Sequence, residues 1–138
     1  MATIIEDYVS LEVAKLLKAK GFDEPVATCY SNYNGLKPYK LINTGVYSYK
    51  NSTEHSPFWI SAPTLQMAMK WLREVYNLFI QLRTIPHTTA TMEQKYYFFT
   101  VHKNRRILEF RKDSPSDHYA TYEQACDAAI KYCLENLI

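Results

Sequence analysis

The sequence predicts an α+β fold in which antiparallel sheet is covered by three amphipathic helices, and three observations carry that expectation. Ala125, Cys126, Ala129, Ile130, Cys133, Leu134 and Leu137 fall at the three-and-four spacing that lays one apolar stripe along a helix. Upstream, Tyr96 to Val101 and Ile107 to Phe110 are rich in aromatic and aliphatic residues and flank the polar Lys103-Asn104-Arg105-Arg106, the pattern of a β-hairpin on which that helix would pack. Connections between strand-like segments are short, which favours antiparallel pairing over crossovers.

The first helix is expected after Ser10, whose hydroxyl suits an N-cap, with Leu11, Val13, Ala14, Leu16 and Leu17 as its apolar residues and Glu12 near its positive end. Gly21 supplies a left-handed C-terminal residue, and Phe22 can fold back onto the last turn. Strands are predicted within Pro25 to Ser31 and Leu41 to Tyr49, separated by the turn signal Asn34-Gly35. A second helix is expected to begin near Ser61 with Pro63 in its first turn, its stripe formed by Leu65, Ala68, Met69, Leu72, Val75, Tyr76 and Phe79. Leu78 to Leu82 reads as a strand, and Arg83 to Lys95, with Pro86 and its threonines, as a loop. The last helix opens on a capping box, Thr121 with Gln124. The openings Thr64-Leu65-Gln66-Met67-Ala68 and Thr121-Tyr122-Glu123-Gln124-Ala125 are alike, which suggests a weak internal pseudo-repeat, α-ββ(β)-α-βββ-α. The expectation is one domain over 1–138, with 1–80 and 81–138 as its halves.

A chain of 138 residues can bury roughly two-thirds of its unfolded surface, and 22% charged with 47% hydrophobic residues is an ordinary globular composition. A formal charge of +2 does not by itself imply a polyanionic partner. Met1 to Asp7 lacks a basic region, and no apolar run is long enough for a signal core or a membrane span, so a cytoplasmic protein with no membrane partner is expected. Cys126 and Cys133 are two helical turns apart, about 10 Å along the axis, too far for a disulfide and suited to a core. Asn51-Ser52-Thr53 matches a glycosylation sequon, which has no consequence without a secretory signal.

Chemistry-bearing patterns are sparse. His55, His87, His102 and His118 do not pair with one another or with a cysteine at ligand spacing. Cys29 sits in a strand and the other two cysteines in a buried stripe, where thiols are inert. Gly21, Gly35 and Gly45 are scattered and form no phosphate loop. Glu6 with Asp7 and Asp23 with Glu24 flank the first helix as solvated ends. No catalytic, cofactor or metal residue is therefore nominated, and an enzyme is the least supported class.

Two patches invite binding. Tyr30, Tyr33, Lys37, Tyr39, Lys40, Tyr47, Tyr49 and Lys50 interleave rings with ammonium groups, as single-strand-binding surfaces do; a tyrosine-rich sheet covering its helices gives the same pattern, and such surfaces also favour protein partners. The hairpin tip, His102-Lys103-Asn104-Arg105-Arg106, is extended by Arg111 and Lys112, and its charges can grip phosphates or simply discourage strand-edge pairing. Both faces of the hairpin look apolar, Tyr96 and Phe98 on one and Tyr97, Phe99 and Val101 on the other, so one aromatic face is expected to be free for a partner.

The succession of helix, three strands and helix from Ser61 to Leu137 resembles the double-stranded-RNA-binding domain in topology. That family has a basic start to its last helix, whereas Thr121-Tyr122-Glu123-Gln124 with Asp127 would repel phosphate. Leu11 to Pro25, Ser61-Ala62-Pro63-Thr64 leading to Lys70-Trp71-Leu72-Arg73-Glu74-Val75, and Tyr119 to Ala125 are similar to a family of short uncharacterised proteins from gut bacteria and their phages. The resemblance implies a small accessory protein of phage or mobile-element origin and carries over no functional residue. Trp71 is explained by helix packing or by a surface anchor for a partner. The function expected is a non-enzymatic protein-interaction or accessory module, binding a protein or itself; the alternative is a weak nucleic-acid binder using the Tyr/Lys patch and the basic tip.

Overall fold

The computed structural model describes residues 4–32, 39–43, 49–52, 59–88, 93–110 and 118–138, and in them the order is helix, three strands, helix, three strands, helix. Both sheets are antiparallel, so the α+β arrangement is the one the sequence predicts. The chain forms two compact units, Met1–Ala68 and Met69–Ile138, and the boundary falls inside the second helix.

In the first unit α1 (Leu11–Ala19) starts where Ser10 accepts a hydrogen bond from the Val13 N–H at 3.3 Å. It ends as its glycine demands. Gly21 has φ +92°, and the Phe22 N–H reaches back to the Leu17 carbonyl at 2.9 Å, folding Phe22 into the core beside Val13, Ala14 and Leu17. β1 (Thr28–Ser31) is the central strand of a sheet ordered β2-β1-β3, with β2 spanning Lys40–Asn43 and β3 Trp59–Ser61. α1 lies against β3. An extended segment before α1 straps the sheet's end: the Val9 N–H donates to the Pro63 carbonyl, and the Leu65 N–H to the Asp7 carbonyl. Asn51 ties three elements together, donating from Nδ2 to the Phe22 carbonyl at 2.8 Å and accepting from the Ser61 N–H at 3.1 Å.

β3 is the optional third strand of the predicted α-ββ(β)-α order, and it displaces the start of the second helix. Ser61 pairs with Cys29 and the Ala62 N–H donates to Thr28, so the backbone is extended where a helix was predicted to begin. α2 (Leu65–Tyr76) instead starts after Thr64, whose hydroxyl accepts from the Met67 N–H at 3.1 Å, and Pro63 precedes the cap. Val75 and Phe79, assigned to the buried stripe, are exposed; Val75 lies in the last turn of α2, and Phe79 lies beyond the helix, which ends at Tyr76 before Asn77 turns the chain with φ +56°.

The second unit holds β4 (Phe79–Thr88), β5 (Glu93–Lys103) and β6 (Arg106–Phe110) in sheet order β4-β5-β6, with α3 (Tyr122–Asn136) against β5 and β4. The loop predicted over Arg83 to Lys95 is largely strand: Arg83 pairs with Phe98 and the register runs without a break to Thr88 opposite Glu93. Pro86 is accommodated because β4 is an edge strand of this sheet, where a missing N–H interrupts no central ladder. α3 buries Ala125, Cys126, Ala129, Ile130, Cys133 and Leu134 of the predicted stripe, while Leu137 is its half-buried C-cap, and Thr121 caps its start through the Gln124 N–H at 3.1 Å. Thr64 and Thr121 are thus equivalent caps. The sheet orders differ between the two units, so the likeness of the helix openings does not extend to strand arrangement.

Candidate binding surface

In the first unit the Tyr/Lys patch is only partly placed, since Tyr33, Lys37 and Tyr47 lie outside the described residues. The rings that are described have intramolecular roles. Tyr39 is half-buried, with Lys15 Nζ 5.2 Å from its centroid, and Tyr49 is half-buried edge-on to Trp59 at 5.0 Å while its backbone pairs with Val26. Lys40 is exposed on β2. Burial pushes the Cys29 thiol above its ordinary value against a smaller opposing hydrogen bond with Tyr49, and burial lowers the Lys18 ammonium, which donates to the Trp59 carbonyl. The hydroxyl and N–H of Ser52 hold the Asp23 carboxyl below its usual range.

In the second unit two expected anchors are not available for contact. Trp71 is 8% exposed, with its ring edge-on to Tyr76 at 5.2 Å, and Phe99 is 2% exposed. Nor does the hairpin present a free aromatic face: Phe98 and Thr100 on one side and Phe99 and Val101 on the other are all buried. Tyr97 is half-buried and paired, its backbone lying between Thr84 and Tyr119 and its ring edge-on to Tyr122.

The basic tip is what remains open. Lys103 pairs with Arg106 across a two-residue turn in which Asn104 and Arg105 have φ +51° and +64°, the left-handed pair that matches strand twist. Arg105 and Arg106 are exposed and Lys103 is half-buried. Asn77 Nδ2 donates to Asn104 Oδ1 at 2.7 Å, tying the turn to the start of β4, so all three non-glycine residues with positive φ among the described residues meet at this end of the sheet.

The register of that turn assembles a second feature. His102 lies opposite Phe79 on β4 and opposite Ile107 on β6, and directly paired residues in a sheet project to the same face. Phe79 is 46% and Ile107 57% exposed, flanking a half-buried His102 whose Nε2 is 2.9 Å from the Thr100 hydroxyl. Between Val101 and His102 the register slips by one residue, leaving Leu108 as a bulge on β6 with its side chain exposed. Phe79, Ile107 and Asn77 were not nominated from sequence. The signal that finds them is the two-residue turn itself, because Lys103 opposite Arg106 makes 102 and 107 partners.

Among the described residues no group of three or more His, Cys, Asp or Glu side chains is placed to hold a metal ion, and no helix is long and apolar enough to cross a membrane. No family model, curated protein or solved structure matches the chain.

Proposed function

We propose that the chain is a non-enzymatic protein-interaction module that takes an acidic, apolar-faced segment of a partner protein on the turn end of its second sheet. The observation that carries this is the row in which exposed Phe79 and Ile107 flank half-buried His102, at the same end of the sheet as Lys103, Arg105 and Arg106 on a turn clasped by Asn77 and Asn104. An apolar row and arginines at one end of a sheet have the composition of a protein interface; Lys103 and Arg106 alternate to the face opposite the row with Arg105 at the tip of the turn, and three cations within four residues call for carboxylates. Nucleic acid is less well served. Base stacking needs several outward rings, and Trp71, Phe99, Tyr39 and Tyr49 are buried or engaged, leaving at the tip one phenyl ring and one isoleucine. Such a module is an accessory protein, in keeping with the gut-bacterial and phage proteins that its helix openings resemble.

Fluorescence anisotropy with three labelled probes tests the proposal: a peptide alternating Glu and Leu, an all-Glu peptide of equal charge, and single-stranded oligodeoxythymidine. The Glu/Leu peptide is expected to bind about tenfold more tightly than the others, as burying part of Phe79 and Ile107 would give. Phe79→Ser with Ile107→Ser should erase that preference, and Arg105→Glu with Arg106→Glu should remove binding. Equal affinity for both peptides, or tighter binding of the oligonucleotide, would overturn the proposal in favour of a polyanion site.

A further inference from the structure

On the second unit, away from the turn, α3 and β5 border an open groove of about 420 Å³, within the range of small-molecule sites. Its floor is the Phe99 ring. Tyr119 lies nearly parallel to that ring, 27° between planes with centroids 6.3 Å apart, and Tyr132 leans on it at 6.0 Å and 48°. Ala128, one turn before Tyr132 on the same side of α3, leaves the space that a longer side chain would occupy. The polar lining includes Lys131 and Glu135, whose charged atoms are 3.8 Å apart and whose side chains are 37% and 43% exposed.

We propose that this groove binds a small zwitterion bearing an aromatic group, of the size and charge of an aromatic amino acid. Three rings around one volume favour a planar apolar group, which stacks in an offset or edge-on manner against tyrosine and phenylalanine. The ion pair determines the rest of the ligand. A pair as exposed as Lys131 with Glu135 holds itself weakly, so each partner can turn to a ligand charge, the ammonium to a carboxylate and the carboxylate to an ammonium. A phosphorylated ligand would meet Glu135, and a simple amine would meet Lys131. A ligand carrying both charges satisfies both groups and leaves no uncompensated charge in the groove.

Titrating L-tryptophan into the ¹⁵N-labelled full chain tests this by amide chemical shifts. Saturable shifts are expected at Tyr119, Ala128, Tyr132 and Glu135. Indole, which has the ring without the charges, should bind about fivefold or more weakly, and Lys131→Gln and Glu135→Gln should each weaken tryptophan about two- to fivefold, as the loss of one exposed charged contact would do. Ala128→Leu fills the groove and should abolish the shifts. The two surface variants report independently should Ala128→Leu not fold. Phe79→Ser and Ile107→Ser should leave tryptophan binding unchanged, which separates this site from the turn surface. Absence of saturable shifts, indole binding as tightly as tryptophan, or shifts that survive Ala128→Leu would overturn the assignment.

Discussion

Arg105 sits where glycine is the favoured residue, and replacing it should raise stability while lowering binding. At φ +64° its Cβ crowds the neighbouring carbonyl, at a cost of roughly 1–2 kcal/mol for an L residue. Arg105→Gly removes that strain but gives the unfolded chain more freedom, which returns about 0.5–1 kcal/mol. The net expectation is a gain of about 0.5–1 kcal/mol, since asparagine followed by glycine is the preferred pair for this kind of turn. Arg105→Ala is the control: it removes the cation but keeps the Cβ and should change stability by less than about 0.5 kcal/mol. The chain has two tryptophans, Trp59 in the first unit and Trp71 in the second, so a Trp59→Phe background leaves Trp71 as the fluorescent reporter. With a slope typical of a small unit, the urea midpoint should rise by roughly 0.3–0.7 M for glycine and stay put for alanine. Both variants should bind the Glu/Leu peptide more weakly. If glycine and alanine give the same midpoint, or glycine lowers it, the turn is not strained at this position and the reasoning fails. A stabilising change that impairs binding would show that the arginine is retained for its charge despite the backbone it must adopt.

Three further outcomes follow from the packing. Burial pushes the Cys133 thiol up to about 12 from an ordinary 9.0, so the folded state holds a proton that the unfolded chain releases above about pH 9. Stability should therefore fall as pH rises across that window, by up to about 1.4 kcal/mol per pH unit, and a Cys133→Ala variant in the same urea assay should lose that part of the slope. Asn51→Ala would leave the Phe22 carbonyl and the Ser61 N–H without their partner and should cost about 2 kcal/mol in thermal or urea unfolding; a loss under about 0.5 kcal/mol would mean that water replaces both bonds. Thr121→Ala removes the cap of α3 and should cost about 1 kcal/mol, with Thr121→Ser recovering most of it.

The helices were legible because their signals are local. Ser10, Gly21 and Phe22 define α1 through bonds within six residues of one another, and the α3 stripe repeats at a period that no strand shares. α2 was misplaced at its start because Ser61 and Pro63 are credible helix-opening residues in isolation; what excludes them is the pairing of Ser61 with Cys29 and of Ala62 with Thr28, more than thirty residues away, and the bond from the Val9 N–H to the Pro63 carbonyl. The same distance effect hid most of β4. Pro86 and the neighbouring threonines read as a loop until β5 is set beside them, when the proline becomes an edge residue of a long hairpin.

Surface was harder to read than structure, for a reason the hairpin makes plain. Alternation places Phe98 and Phe99 on opposite faces, and that much follows from a period of two. Which face is then covered depends on every other element, and here Phe98 and Phe99 are both buried while Phe79 and Ile107, less conspicuous in sequence, stay open. An aromatic-rich strand therefore pointed to the most buried part of the sheet. The polar turn beside it was the better guide, because two consecutive left-handed residues fix the pairing of the strands they join, and the pairing determines which side chains stand together.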